Sequence, residues 1–119
     1  MKRALQALLI SPNERNREKI LKGEKKITIR EGHRDYVLSK VMLCCPIDPW
    51  CVEAEITGVR HCILKEVTAI ECSDEGYDSQ KKMIKDLQHY YPELTLDSKV
   101  TIIRWDNVQG ELVNEYLSQ

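Results

Sequence analysis

The chain has no phenylalanine, so its core has to be built from aliphatic side chains, with the two tryptophans and five tyrosines as its few rings. It has no apolar run near the roughly 20 residues needed to cross a membrane as a helix, which argues against a spanning segment. There is no internal repeat, low-complexity tract or linker-like stretch, and 119 residues suit one domain, residues 1–119, with one core. The segment Ala4–Ile10 behind Met1-Lys2-Arg3 is apolar but short, contains Gln6, and runs into Ser11-Pro12 without a small-residue cleavage site. It reads as a first buried strand rather than a leader, and the expected location is the cytoplasm.

Zinc-type cysteine spacing is also missing. The five cysteines, at 44, 45, 51, 62 and 72, contain no C-x-x-C pair. An odd count in a chain with no leader argues against a disulfide framework, so reduced, buried thiols are expected, with no metal and no cofactor.

Net charge is nearly absent, at −1, but the charges are segregated. Arg15 to Arg34 holds eight basic residues against three acidic ones, and Glu66 to Asp97 holds eight acidic against three lysines. Such a bipolar chain can offer a basic surface to phosphates despite its small total. Two solvated helices of opposite charge would give the same composition.

Periodicity supplies the elements. Arg3–Ile10 reads as a strand. A helix capped by Ser11 or Asn13 follows Pro12 and runs to Lys22, with Ile20 and Leu21 turned inward and Gly23 as its stop. Lys25–Arg30 alternates strictly, Ile27 and Ile29 inward and Lys26, Thr28 and Arg30 outward. Val41–Cys45 is an apolar strand ended by Pro46 and a turn through Asp48-Pro49. Cys51–Leu64 is one long strand or two, with Gly58 as a bulge or bend. Lys65–Cys72 reads as a short helix. Ser79–Tyr90 reads as a helix placing Met83, Ile84 and Leu87 on one face, stopped by Pro92. Val100–Trp105 is the last clear strand, and Glu111–Leu117 is a helix or strand. Short strands interrupted by two main helices predict an α+β fold, a small mixed β-barrel with flanking helices.

The run Ile20-Leu21-Lys22-Gly23-Glu24-Lys25-Lys26-Ile27-Thr28-Ile29-Arg30 resembles the signature of the ASCH family, a branch of the PUA-like fold. In that family a helix ending Ile-Leu-x-Gly-x-Lys leads into an Ile-x-Ile-Arg strand. It is most similar to the small bacterial N4-acetylcytidine amidohydrolases, which carry Lys-Thr-Ile-Thr-Ile-Arg here. A looser likeness continues through Glu75-Gly76 and from Lys81-Lys82-Met83-Ile84 to Tyr91-Pro92. The resemblance implies an ASCH pseudobarrel with a cleft lined by Lys25, Thr28, Arg30 and Glu75. It makes Thr28 the nucleophile, Lys25 its acid/base partner and Glu75 a polarising or proton-carrying group. Glu75 aligns only across a gap of about two residues, so Asp74 or Glu71 can fill its role. Lys26 stands where those enzymes have their first motif threonine.

The chemistry asked of these residues is demanding. A threonine hydroxyl needs a neighbour to take its proton, and a lysine does so only when neutral. Lys25, Lys26 and Arg30 provide a positive neighbourhood, and Arg30 or a backbone amide after Gly23 is a candidate for stabilising an oxyanion. Alternation puts Lys26, not Lys25, on the face of Thr28, whereas the resemblance favours Lys25. Beyond this motif, His33, Arg34, Tyr36 and Trp50 are candidates for stacking bases and holding phosphates. Trp105 reads as core, and His61 and His89 as structural or exposed. The expected partner is therefore RNA or a modified nucleoside. The expected activity is hydrolysis of an N4-acyl-cytidine amide, against a non-catalytic RNA-binding module or a metal-independent ribonuclease using Lys25, Arg30 and an acid.

Overall fold

The computed structural model describes residues 6–10, 16–45, 47 and 50–109. In chain order the elements are β1 (Ala7–Leu9), α1 (Asn16–Leu21), β2 (Ile27–Glu31), β3 (Lys40–Cys45) and β4 (Trp50–Ile63). A 3-10 turn (Leu64–Glu66), α2 (Ala69–Glu75), α3 (Gln80–Tyr90) and β5 (Lys99–Asp106) follow. The five strands are ordered β1-β3-β4-β5-β2, with β1 parallel to β3 and the β3–β4 and β2–β5 pairs antiparallel. The architecture is α+β. The expected Ser11 or Asn13 cap, the Pro46 and Asp48-Pro49 turn and the Glu111–Leu117 element lie outside the described residues.

The described residues form two compact units. The first contains the residues up to Lys25, Tyr36–Thr57 and the stretch from Trp105. Its strands alternate with period two. Val41, Leu43 and Cys45 of β3 point inward and register against Ala54, Val52 and Trp50 of β4, all buried. Leu8 of β1 joins them opposite Leu43. Helix α1 buries Ile20 but leaves Leu21 exposed, so only one of the two expected inward positions is core. The helix ends as its glycine dictates. Gly23 takes φ 76°, its N–H donates to the Ile20 carbonyl (3.1 Å), and Glu24 N–H donates to the Lys19 carbonyl (2.8 Å). This is the Schellman pattern, which satisfies two carbonyls that the helix end would otherwise orphan.

The same unit overturns the expectation that all five thiols stay reduced. Register places Cys44 of β3 directly opposite Cys51 of β4, with Cα atoms 4.2 Å apart, and the two form a disulfide. Such a short separation is typical of a non-hydrogen-bonded cross-strand pair, where side chains approach most closely. Cys45, Cys62 and Cys72 are free and buried.

The second unit, Lys26–Asp35 with Gly58–Arg104, packs α2 and α3 on one face of the β2–β5 pair. Ile27 and Ile29 of β2 and Val100 and Ile102 of β5 form a buried cluster with Cys62, Leu64, Val67, Cys72, Met83, Leu87 and Leu94. Each aliphatic side chain so buried is worth about 1.5–3 kcal/mol relative to exposure. Thr68 opens α2 with a capping box, its hydroxyl accepting from Glu71 N–H (3.2 Å) while Glu71 Oε1 accepts from Thr68 N–H (2.9 Å). Gly76 closes the helix at φ 100°. Helix α3 is capped by Ser79 and buries Met83 and Leu87, four residues apart, as its periodicity predicts. Gly58 falls inside an unbroken β4, where an added Cβ would only touch Arg104 Cβ at 3.9 Å, so it marks no close approach.

Candidate functional site

The motif strand starts two residues later than its alternation suggests. Lys25 and Lys26 precede β2, with Lys26 exposed and Lys25 half-buried in the turn, where its N–H donates to the Lys19 carbonyl at 3.1 Å. Lys25 belongs to the first unit, and Lys26, Thr28, Arg30 and Glu75 to the second. Ile27 and Ile29 face the apolar cluster, so Thr28 and Arg30 project from the opposite face. That face is covered as well. Thr28 is only 6% exposed, and its neighbour across the ladder, Ile103, is fully buried. An outward hydroxyl, expected from alternation alone, becomes an interior one because β2 is packed on both faces.

Within that face the half-buried Arg30 donates its Nε–H to Thr28 Oγ1 at 3.1 Å. The bond orients the guanidinium and withdraws electron density from the hydroxyl oxygen. Oγ1 is thereby a poorer nucleophile when neutral, while an alkoxide forming on it would be stabilised. Opposite Arg30 across the ladder stands Thr101, fully buried, whose hydroxyl donates to the Gly32 carbonyl (2.6 Å) and accepts from Arg34 N–H (2.8 Å). Gly32 takes φ 82°, which a side-chain-bearing residue adopts rarely, and turns the chain out of β2 into this anchored loop.

The loop carries His33 and Arg34, both exposed. Arg34 Nε–H donates to the Glu31 carbonyl at 2.9 Å. His33 stacks on His61 of β4, with ring centroids 4.9 Å apart and planes inclined by 23°. His61 is the site residue that sequence reading passes over. It has no motif around it, and only the folding of β4 beside the loop brings it to His33. Tyr36 is half-buried in the first unit, and Trp50 is 5% exposed at the start of β4, so its ring is core and offers no open face for a base.

The three candidate acids lie on α2, which packs against β2. Glu71 is committed to Arg60, whose Nε–H and Nη2–H donate to Oε2 (2.9 Å) and Oε1 (2.6 Å). Burial works to raise the Glu71 carboxyl, but the Arg60 bonds and the Thr68 N–H outweigh it and hold the group below the ordinary carboxylate range. Asp74 pairs with Arg104 at 2.9 Å. Glu75 ends the helix half-buried, with Oε2 out of solvent. Burial raises the thiols of Cys62 and Cys72 above the usual cysteine range, which makes them inert rather than nucleophilic. Among the described residues no group of three or more His, Cys, Asp or Glu side chains is arranged to hold a metal, and no described helix is long and apolar enough to cross a membrane.

Two solved structures share the fold of this chain. A protein of the family DUF984 from Enterococcus faecalis superimposes with a TM-score of 0.68 at 11% identity, over 93% of this chain and 84% of its own. The ASCH domain from Lactobacillus crispatus superimposes with a TM-score of 0.58 at 16% identity, over 87% of this chain and 79% of its own. No protein-family model matches the sequence, and no curated protein matches it. The fold is therefore the small mixed pseudobarrel of ASCH domains, within the PUA-like class. At these identities the likeness is one of fold.

Proposed function

We propose that this chain is an ASCH-family protein that binds RNA, or a modified nucleoside within it, at the half-buried Arg30 near the end of β2 and on the exposed loop that follows. The observation that carries this reading is the Arg30–Thr28 bond. The bond fixes the orientation of a half-buried guanidinium, whose planar fork of donors suits a phosphate or a carbonyl edge of a base. Lys26 and Arg34 add exposed positive charge on either side of it along the chain. Cytoplasmic RNA is the partner in this reading, and the fold shared with an ASCH domain supports it.

The same bond favours a second reading, hydrolysis of an N4-acyl-cytidine amide by Thr28, because Arg30 would stabilise the developing alkoxide. Three measurements separate these possibilities. Labelled single-stranded RNA, titrated by anisotropy at several salt concentrations, should bind with a log–log salt slope that falls in Arg30→Ala, as expected for loss of a phosphate contact. Acetate release from N4-acetylcytidine, abolished in Thr28→Ala, would establish the hydrolase. Cleavage of RNA without metal would establish the ribonuclease alternative. Salt-independent affinity, equal in wild type and Arg30→Ala, would overturn the binding proposal.

A further inference from the structure

Resting on the RNA-binding reading, we propose that the stacked His33–His61 pair is a second subsite beside Arg30, so that the ligand is a single strand rather than a free nucleoside. These two exposed histidines lie on different segments of the chain, the loop after β2 and strand β4, yet they are locked from both sides. His33 Nε2–H donates to the Cys62 carbonyl of β4 at 3.1 Å, and His61 Nε2–H donates to the Arg34 carbonyl of the loop at 2.7 Å. A carbonyl only accepts, so both protons sit on Nε2. The reciprocal clasp uses one nitrogen of each ring, the stack uses one face of each, and neither engages the outer faces or the Nδ1 edges.

The loop itself is anchored. Thr101 holds Gly32 O and Arg34 N, and Arg34 Nε–H holds Glu31 O. Five hydrogen bonds on a short exposed turn are more than chain reversal needs. Their effect is to present two flat rings and a cation without further ordering, which lowers the entropic cost of binding. Flat rings beside an arginine suit a nucleobase with its phosphate, because every base has a stacking face. Arg34 opposes a metal ion at the same place.

Placement extends the argument to a strand. His33 lies three residues after Arg30, so their Cα atoms are at most about 10 Å apart. Thr101, which anchors the loop, is also the ladder partner of Arg30. One nucleotide on Arg30 therefore puts its neighbour within reach of the imidazole pair.

The test compares a short labelled oligouridine, followed by anisotropy, with N4-acetylcytidine, followed by calorimetry. The proteins are wild type and the variants His33→Ala, His61→Ala, His61→Phe and Arg30→Ala, each checked for native melting. Loss of the platform should weaken the oligonucleotide about 5- to 150-fold, the range for one stacked base. Nucleoside affinity should stay unchanged, and His61→Phe, which keeps a ring, should retain most of the binding. Arg30→Ala should weaken both ligands. Oligonucleotide affinity that falls with Arg30→Ala but ignores the histidine variants would overturn the subsite and leave the RNA-binding reading standing. So would an oligonucleotide bound no tighter than the nucleoside, or His61→Phe as weak as His61→Ala. If wild type binds neither ligand, both proposals fail.

Discussion

Replacing Glu71 by glutamine keeps its volume and one acceptor oxygen for Thr68 N–H, but removes the charge that faces Arg60. The carboxylate is 9% exposed and the arginine 43%. Removing one partner of a fully buried ion pair costs about 3–5 kcal/mol, mainly because the other charge is stranded. Arg60 is not stranded, since nearly half of it meets water and it still donates to the Glu66 carbonyl at 3.1 Å. Solvent screening therefore reduces the expected loss to about 2–3 kcal/mol at pH 7. The pH dependence follows from the direction of the shift. The folded-state carboxyl is held below its unfolded value, so its contribution is fully present above the unfolded value of about 4.3 and fades as pH falls through the folded one. Urea denaturation of wild type and Glu71→Gln across this range should show a gap of about 2–3 kcal/mol at neutral pH that closes in acid. A gap below about 0.5 kcal/mol at pH 7, the size of an ordinary surface substitution, would refute the reasoning. A gap that widens in acid would refute it too.

Three further outcomes are expected. Thr28→Val leaves Arg30 without its hydroxyl acceptor and should cost about 1–2 kcal/mol of stability in urea, the scale of one charged hydrogen bond at a half-buried site. Thiol titration of the denatured protein without reductant should find three thiols per chain, Cys45, Cys62 and Cys72, and five after reduction. Five without reductant would show that Cys44 and Cys51 are reduced in the cell compartment the protein was taken from. Gly76→Ala meets no atom within 4 Å, so its cost is purely that of the φ 100° backbone, about 1–2 kcal/mol by thermal melting, with no change in RNA affinity.

Much of the local structure is legible before any coordinates. The alternation of Ile27 and Ile29, the four-residue spacing of Met83 and Leu87, and the stop at Gly23 are local consequences of strand, helix and αL geometry. They hold because the same side chains supply both the pattern and the burial energy. The Thr28–Arg30 pairing on one face of β2 is legible for the same reason, since residues two apart on a strand must share a face. Its exposure is not. Whether the second face of a strand meets water depends on what the rest of the chain lays over it, and no residue of the motif encodes that.

Local pattern therefore determined which residues can be helix, strand and core, and which polar groups stand side by side on β2. Contacts between distant segments were decided only by tertiary structure. Cys44 meets Cys51 through strand register, and α2 packs against β2 while two of its acids are taken up by Arg60 and Arg104. His61, read in the sequence as unremarkable, meets His33 only where β4 passes the loop after β2. The physical reason is one of range. Backbone geometry repeats over two to four residues and can be read along the chain, whereas a contact made by chain closure depends on every element between its partners.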